Sequence, residues 1–143
     1  MQIYNRIPLF LATLILFFSS CKENADHPVP NLPVNIYINL NLPAYQSLNN
    51  PGGWAYVNGG SKGIVVYRNF DNFVALDRHT TYQPDSACAI GEVDDVNFFS
   101  INDPCSTSKY NLLDGTVTNG PAQWGLRQYF ASWDGNFTVQ ITN

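Results

Sequence analysis

The sequence lacks an excess of positive charge, and it lacks the short motifs of common enzyme classes. Lysines and arginines number 7 against 11 acidic residues, a formal net charge of −4. This mildly acidic balance argues against nucleic acid as a partner. No internal repeat, HExxH motif, Gly-rich phosphate loop or Ser/His/Asp order is present. Hydrolase and nucleotide-binding functions are therefore not expected, and we predict that the chain is not an enzyme.

Only one long apolar run is present, and it lies at the N-terminus. In MQIYNRIPLFLATLILFFSSC, Arg6 precedes the apolar residues 7–18, and two serines precede Cys21. The pattern predicts a signal peptide over residues 1–20. The run is shorter than the about 20 residues of a membrane-spanning helix, so we do not expect a transmembrane protein. The ending FFSSC resembles the lipobox of bacterial lipoproteins, in which the cysteine is lipidated.

The lipobox resemblance implies a membrane anchor at Cys21. Two or more acyl chains on one residue give stable attachment, so we expect a lipoprotein of the bacterial cell envelope, facing the periplasm or the outside. A signal cleaved elsewhere, with Cys21 as a bystander, is the alternative. Residues 21–33 are polar and proline-rich, which predicts a flexible tether with a solvated His27. Residues 34–143 then form a single domain.

The domain has the pattern of an all-β protein. Residues 34–40 alternate apolar and polar side chains, and β-rich runs follow at 54–57, 63–69 and 73–78. Further strands are predicted at 93–101 and 116–118. Around Asp134-Gly135, YFASW and FTVQI form the clearest hairpin. No helical period is sustained, so we predict a small antiparallel sandwich or barrel.

Apart from Cys21, the chain has two cysteines, Cys88 and Cys105. In an oxidising compartment a remaining pair is by default a disulfide. A nucleophilic Cys105 is the alternative, but it needs a nearby base, and no Cys/His pairing is evident.

Several segments of the domain together resemble the Rieske iron–sulfur family. Ala75-Leu76-Asp77-Arg78 precedes a first loop, DPCSTSKY forms a second, and Gly120-Pro121-Ala122 precedes the terminal hairpin. The resemblance covers about residues 34–141. It implies a Rieske-like β-domain with a loop-rich subdomain that in the family binds a [2Fe-2S] cluster.

The resemblance also places the family's four cluster ligands in this sequence, and all four residues differ. Thr80 and Asp103 stand at the cysteine positions, and Tyr82 and Ser106 stand at the histidine positions. A Rieske cluster needs two thiolates and two imidazoles, so we predict no cofactor and no metal. His79 lies beside a ligand position, but we expect an ordinary polar loop residue. In part of the family, extra cysteines in the two loops form a disulfide, which the resemblance assigns to Cys88 and Cys105.

Acidic and aromatic side chains are two further groups of candidate binding residues. The acidic residues near the loops match no calcium motif and predict a solvated rim; they are Asp85, Glu92, Asp94, Asp95 and Asp103. Aromatic side chains can stack on sugars or peptides. The tryptophans fit core strands, whereas Tyr82 and Tyr110 are predicted to lie in loops.

The leading hypothesis is a Rieske-like domain without its cluster, acting as a non-redox binding or structural module for an unknown envelope protein or glycan. One alternative is a [2Fe-2S] electron-transfer protein with unusual ligands. Another is a carbohydrate- or peptide-binding module that uses Tyr82, Tyr110 and the acidic rim.

Overall fold

The computed structural model describes residues 26–143. The predicted signal peptide and Cys21 therefore lie outside the described residues. The described part contains ten strands and a 3-10 helix, Pro43–Asn49. The strands are β1 Asn35–Asn39, β2 Trp54–Val57, β3 Ile64–Asn69, β4 Asn72–Asp77, β5 Glu92–Val93, β6 Ser100–Asn102, β7 Lys109–Asn111, β8 Val117–Asn119, β9 Gln128–Trp133 and β10 Thr138–Thr142.

Six strands form an antiparallel sheet in the order β1-β10-β9-β4-β3-β2. The predicted terminal hairpin is present as β9 and β10. Its turn contains Gly135 with a φ of 80°, a left-handed conformation that glycine adopts without strain. The Asp134 carboxylate accepts hydrogen bonds from the backbone N–H groups of Asn136 and Thr138 at 2.8 and 3.1 Å. These bonds hold the turn that sets the register of the two strands.

The remaining strands form a four-stranded antiparallel sheet, β5-β6-β7-β8. The prediction of one strand over residues 93–101 was wrong, because the chain turns between β5 and β6. Asp94 Oδ1 accepts the backbone N–H groups of Val96 and Asn97, both at 2.9 Å. Aspartate side chains stabilise turns in this way, and the turn ends β5 after Val93. β7 and the 3-10 helix were not predicted.

Strands β3 and β4 are buried on both faces. One face packs in a core that includes Ile38, Ile64 and Ile141. The opposite face packs in a second core that includes Leu76, Ile101 and Leu112. Strands β3 and β4 of the six-stranded sheet therefore lie between the two cores, and the prediction of an all-β sandwich or barrel is confirmed.

Part of the predicted tether is packed on the domain. Val29 is fully buried, and its carbonyl accepts a hydrogen bond from the Arg127 guanidinium. The His27 ring lies 3.0 Å from the Gly125 carbonyl oxygen and contacts Trp124 edge to face. The prediction of a solvated His27 was therefore wrong, because composition does not reveal these contacts across the chain. Within residues 26–143, no helix has both the length and the apolar character needed to cross a membrane.

Candidate functional site

The four predicted ligand positions lie in two loops that follow buried strands. The first loop, residues 78–91, follows β4 and carries Thr80 and Tyr82. The second loop, residues 103–108, joins β6 to β7 and carries Asp103 and Ser106. Since β4 and β6 both contribute to the second core, their ends bring the two loops together.

Asp103 is the centre of a buried hydrogen-bond network between the loops. Its side chain is among the buried polar groups at 3% exposure, and Thr80 is fully buried. Thr80 Oγ1 donates to Asp103 Oδ1 at 3.0 Å across the loops. The Cys105 backbone N–H donates to the same oxygen at 3.0 Å, and Ser106 Oγ donates to Oδ2 at 2.7 Å. The structure therefore brings together Thr80, Asp103 and Ser106.

Serine hydroxyls extend this network toward the third segment of the resemblance. Ser106 Oγ lies 2.8 Å from Ser108 Oγ, which accepts the Ala122 backbone N–H at 3.1 Å. Gly120 packs so closely here that an added Cβ would lie 2.5 Å from the Ser108 Cα. Glycine is therefore required for the approach of segment 120–122 to the second loop. Asp103 is not part of a solvated acidic rim, so that prediction was wrong for this residue.

A disulfide joins the two loops beside the network. Cys88 and Cys105 are bonded, with their Cα atoms 5.4 Å apart, inside the usual range for a disulfide. The predicted pairing is confirmed. Cys88 is exposed, whereas Cys105 is half-buried and its backbone N–H reaches Asp103. The covalent link and the polar network therefore meet at Cys105.

The two tyrosines that were predicted to lie in loops are not exposed stacking residues. Tyr110 lies in β7 and is fully buried, and its hydroxyl accepts the Thr81 backbone N–H at 3.1 Å. Tyr82 is half-buried and packs against the second core. The predicted use of Tyr110 for stacking on a sugar or peptide was wrong, because its ring completes the core beneath the loops.

A second polar network surrounds Asp77, which is fully buried at the end of β4. Its carboxylate accepts hydrogen bonds from the Tyr129 hydroxyl at 2.7 Å and from the backbone N–H groups of Ser61 and His79 at 2.6 and 2.8 Å. Burial, and then the hydrogen bond to Asp77, raise the pKa of Tyr129 well above its ordinary value of 10.0. In the sequence, Asp77 stands out only as part of the segment 75–78, and no sequence pattern indicates which groups donate hydrogen bonds to its carboxylate.

His79 is buried beside Asp77 and is not an ordinary polar loop residue as predicted. Its Nε2 lies 2.7 Å from the Pro84 carbonyl oxygen, which can only accept, so Nε2 carries the proton. Its Nδ1 lies 2.8 Å from Ser61 Oγ, and a hydroxyl can either donate or accept. Both ring nitrogens are therefore engaged within the protein.

The other acidic residues near the loops lie mostly at the surface. Asp85, Glu92 and Asp95 are exposed. Asp94 is half-buried, and the backbone N–H of Asn97, then the Asn102 amide, hold its carboxyl pKa far below the ordinary value. Among residues 26–143, no group of three or more His, Cys, Asp or Glu side chains is arranged to hold a metal ion.

Comparisons with known proteins connect this architecture to solved structures and to nothing else. No family model and no curated protein matches the chain. The ferredoxin of carbazole 1,9a-dioxygenase from Nocardioides aromaticivorans is 16% identical, with a TM-score of 0.51 over 77% of this chain and 96% of that one. The complex of reduced oxygenase and oxidised ferredoxin in carbazole 1,9a-dioxygenase is 19% identical, with a TM-score of 0.52 over 76% and 93%.

A third similar structure, an NADH-dependent nitrite reductase small subunit from Mycobacterium tuberculosis, is 17% identical. Its TM-score is 0.50 over 79% of this chain and 97% of that one. At these identities the likeness concerns the fold alone. The fold of residues 26–143 is Rieske-like.

Proposed function

We propose that this chain is a cell-envelope lipoprotein whose Rieske-like domain binds no iron–sulfur cluster and acts as a non-redox binding or structural module. The observation that carries this proposal is the buried network centred on Asp103. This network lies between the two loops, at positions to which the resemblance assigns the family's cluster ligands.

The chemistry of the side chains supports the proposal. A Rieske cluster is held by two cysteine thiolates and two imidazoles. Thr80, Asp103 and Ser106 offer oxygen atoms, whereas an iron–sulfur cluster requires soft thiolate ligands. The cysteines of the two loops, Cys88 and Cys105, are bonded to each other. The residues present do not fit the family's cofactor.

The hydrogen bonds give independent support. Thr80 and Ser106 direct their hydroxyl groups to the carboxylate oxygens of Asp103 at 3.0 and 2.7 Å. A ligand that used Asp103 would have to break these bonds inside a buried site, where an unpaired polar group costs about 1–3 kcal/mol. The network is therefore suited to holding the loops and poorly suited to releasing a carboxylate to a metal.

Iron and sulfide analysis tests the absence of a cluster. The purified protein is expected to contain no stoichiometric iron or acid-labile sulfide, both as isolated and after anaerobic reconstitution with iron and sulfide. A rhombic iron–sulfur EPR signal with about two irons per chain, the family stoichiometry, would overturn the proposal.

A variant with the family's ligands restored is the matched control. It combines Thr80→Cys, Tyr82→His, Asp103→Cys and Ser106→His in the Rieske-like scaffold. If it acquires a cluster under the conditions in which the original chain stays colourless, the assignment of the four positions is supported. If the original chain acquires the same cluster, the four replaced residues do not prevent cluster binding and the proposal is wrong.

The lipoprotein part of the proposal has its own test. Mass spectrometry of the mature chain should find a diacylglyceryl group on Cys21 as the first residue, and Cys21→Ala should prevent this processing. A mature chain that begins elsewhere and carries no lipid would contradict the anchor, without affecting the proposal about the cluster.

A further inference from the structure

The outer face of the terminal hairpin and β1 carries an open cavity, and no residue of the two loops lines it. The cavity has a volume of about 220 Å³. Its lining side chains come from one face of three neighbouring strands and the hairpin turn; they are Tyr37, Ser132, Asp134, Thr138 and Gln140. Tyr37, Gln140 and Ser132 are paired across β1, β10 and β9, which places their side chains in one row.

We propose that this cavity binds a neutral glycan, with the ring of Tyr37 as its stacking surface. Tyr37 is 65% exposed in the middle of a strand, where a side chain of this size gains little from packing. An exposed aromatic ring beside several fixed polar groups is a typical arrangement for a small polar ligand with an apolar face. A pyranose ring has such a face, formed by its C–H groups.

The polar groups around Tyr37 are held in place by the protein. Gln140 Nε2 donates to the Tyr37 hydroxyl at 2.9 Å and to Asn35 Oδ1 at 3.0 Å, which uses both amide hydrogens. The Gln140 carbonyl oxygen is then the amide atom that can accept from a ligand, and the Tyr37 hydroxyl keeps its own proton to donate. Side chains ordered before binding lose less entropy when the ligand arrives.

The charges of the face indicate a neutral ligand. The strands β1, β9 and β10 contain no lysine or arginine, so the face offers no cation to a phosphate, sulfate or uronate. The backbone N–H groups of Thr138 and Asn136 hold the pKa of the Asp134 carboxyl below its ordinary value, which keeps it ionised at neutral pH. An ionised carboxylate accepts strongly from sugar hydroxyl groups and repels anions.

A second exposed aromatic side chain extends the face. Phe130, which is 69% exposed, pairs with Thr142 on the far side of β10 from Tyr37. Strand spacing and residue rise place the two aromatic residues about 12 Å apart, a span longer than one sugar ring. The geometry thus favours an oligosaccharide over a monosaccharide, with Tyr37 at one end and Phe130 at the other.

Titration of the purified protein with defined oligosaccharides tests this site. The neutral probes are the tetrasaccharides cellotetraose, maltotetraose and N-acetylchitotetraose, and tetragalacturonate is the charged probe of equal length. We expect one neutral probe to shift the NMR amide signals of Tyr37, Gln140 and Ser132, and Tyr37→Ala to weaken its binding by at least about tenfold. Phe70→Ala, which removes a 74% exposed aromatic from the β3–β4 turn, is the control and should leave the affinity unchanged.

Three results would overturn the inference. They are the absence of shifts on this face at millimolar concentrations of every neutral probe, equal affinity of the Tyr37→Ala variant, and tighter binding of tetragalacturonate. Because the test does not involve iron, its failure would leave the proposal about the cluster in place. A cluster found in the protein would likewise leave the glycan site untouched.

Discussion

Replacement of Asp103 by asparagine tests whether the polar network holds the two loops together. The change preserves the shape of the side chain, so its effect reports on charge and hydrogen bonding. The carboxylate accepts from Thr80 Oγ1 and the Cys105 N–H at one oxygen and from Ser106 Oγ at the other. Asparagine retains an oxygen that can accept from Thr80 and Cys105, but it presents an N–H₂ group to Ser106.

The size of the effect follows from these contacts. Hydrogen bonds to a charged group contribute about 1.5–3 kcal/mol and neutral ones about 0.5–1.5 kcal/mol. Asp103→Asn therefore replaces three charge-assisted bonds by neutral ones, because Ser106 Oγ can accept from the new amide, and the loss is partly offset because a neutral amide costs less to bury than a carboxylate. We expect the free energy of unfolding to fall by roughly 2–3 kcal/mol, a large part of a small domain's stability.

Urea unfolding followed by tryptophan fluorescence and circular dichroism measures this change. Asp95→Asn, at an exposed position in the same region, is the matched control and should stay within about 0.5 kcal/mol of the original chain. Thr80→Val removes one donor, and a double-mutant cycle with Asp103→Asn should give a nonzero coupling energy. If Asp103→Asn leaves the free energy of unfolding unchanged or raises it, the desolvation of the carboxylate outweighs the stabilisation by its hydrogen bonds. The network then does not hold the loops together.

Four further predictions concern the disulfide, Tyr129 and Asp94. The double variant Cys88→Ala/Cys105→Ala should lower the free energy of unfolding in urea by roughly 3 kcal/mol, because the disulfide closes a loop of 17 residues. No change would show that the polar network alone fixes the loops. Tyr129→Phe leaves Asp77 with one donor fewer and should cost about 1–3 kcal/mol in the same assay. In the original chain, Tyr129 should remain protonated when exposed tyrosines ionise, as absorbance at alkaline pH would show. A tyrosine pKa raised on folding adds stability below the unfolded pKa of 10.0, and this contribution is lost as pH rises through the folded value. The lowered pKa of Asp94 affects stability in the opposite direction of pH. Its contribution to the free energy of unfolding is present above the ordinary pKa of 3.8 and is lost as pH falls. Asp94→Asn should therefore flatten the decline in melting temperature between about pH 5 and pH 2.

The parts of the fold that could be predicted from the sequence are those set by local chemistry. The β9–β10 hairpin depends on Asp134 and Gly135 at its turn, and both residues are visible in the sequence. The strand at 34–40 was predicted by alternation, and Ile38 is buried while Tyr37 is exposed as expected. The false strand at 93–101 had the correct residue types, but the side chain of Asp94 bonds the backbone and turns the chain.

The candidate site was predictable in its positions but not in its contacts. The resemblance identified Thr80, Asp103 and Ser106 from two separate segments, and the structure places Thr80 and Ser106 within hydrogen-bonding distance of Asp103. The burial of Asp103 could not be foreseen, since a charged loop residue is ordinarily solvated. Tyr110 was misjudged for a related reason, because its role depends on the second core, which forms from distant segments.

The position of the polar network also limits where a partner can bind. The interior of the loops is filled by Asp103, Thr80 and the Ser106 hydroxyl. The exposed loop side chains include Asp85, Cys88, Pro104 and Thr107, of which only Asp85 is charged and none is aromatic. The outer face of β1, β10 and β9 has the opposite character, since it combines an exposed ring, fixed amides and an ionised carboxylate at a cavity. A binding function of this domain is therefore better served by the sheet face than by the loops that the fold family uses for its cluster.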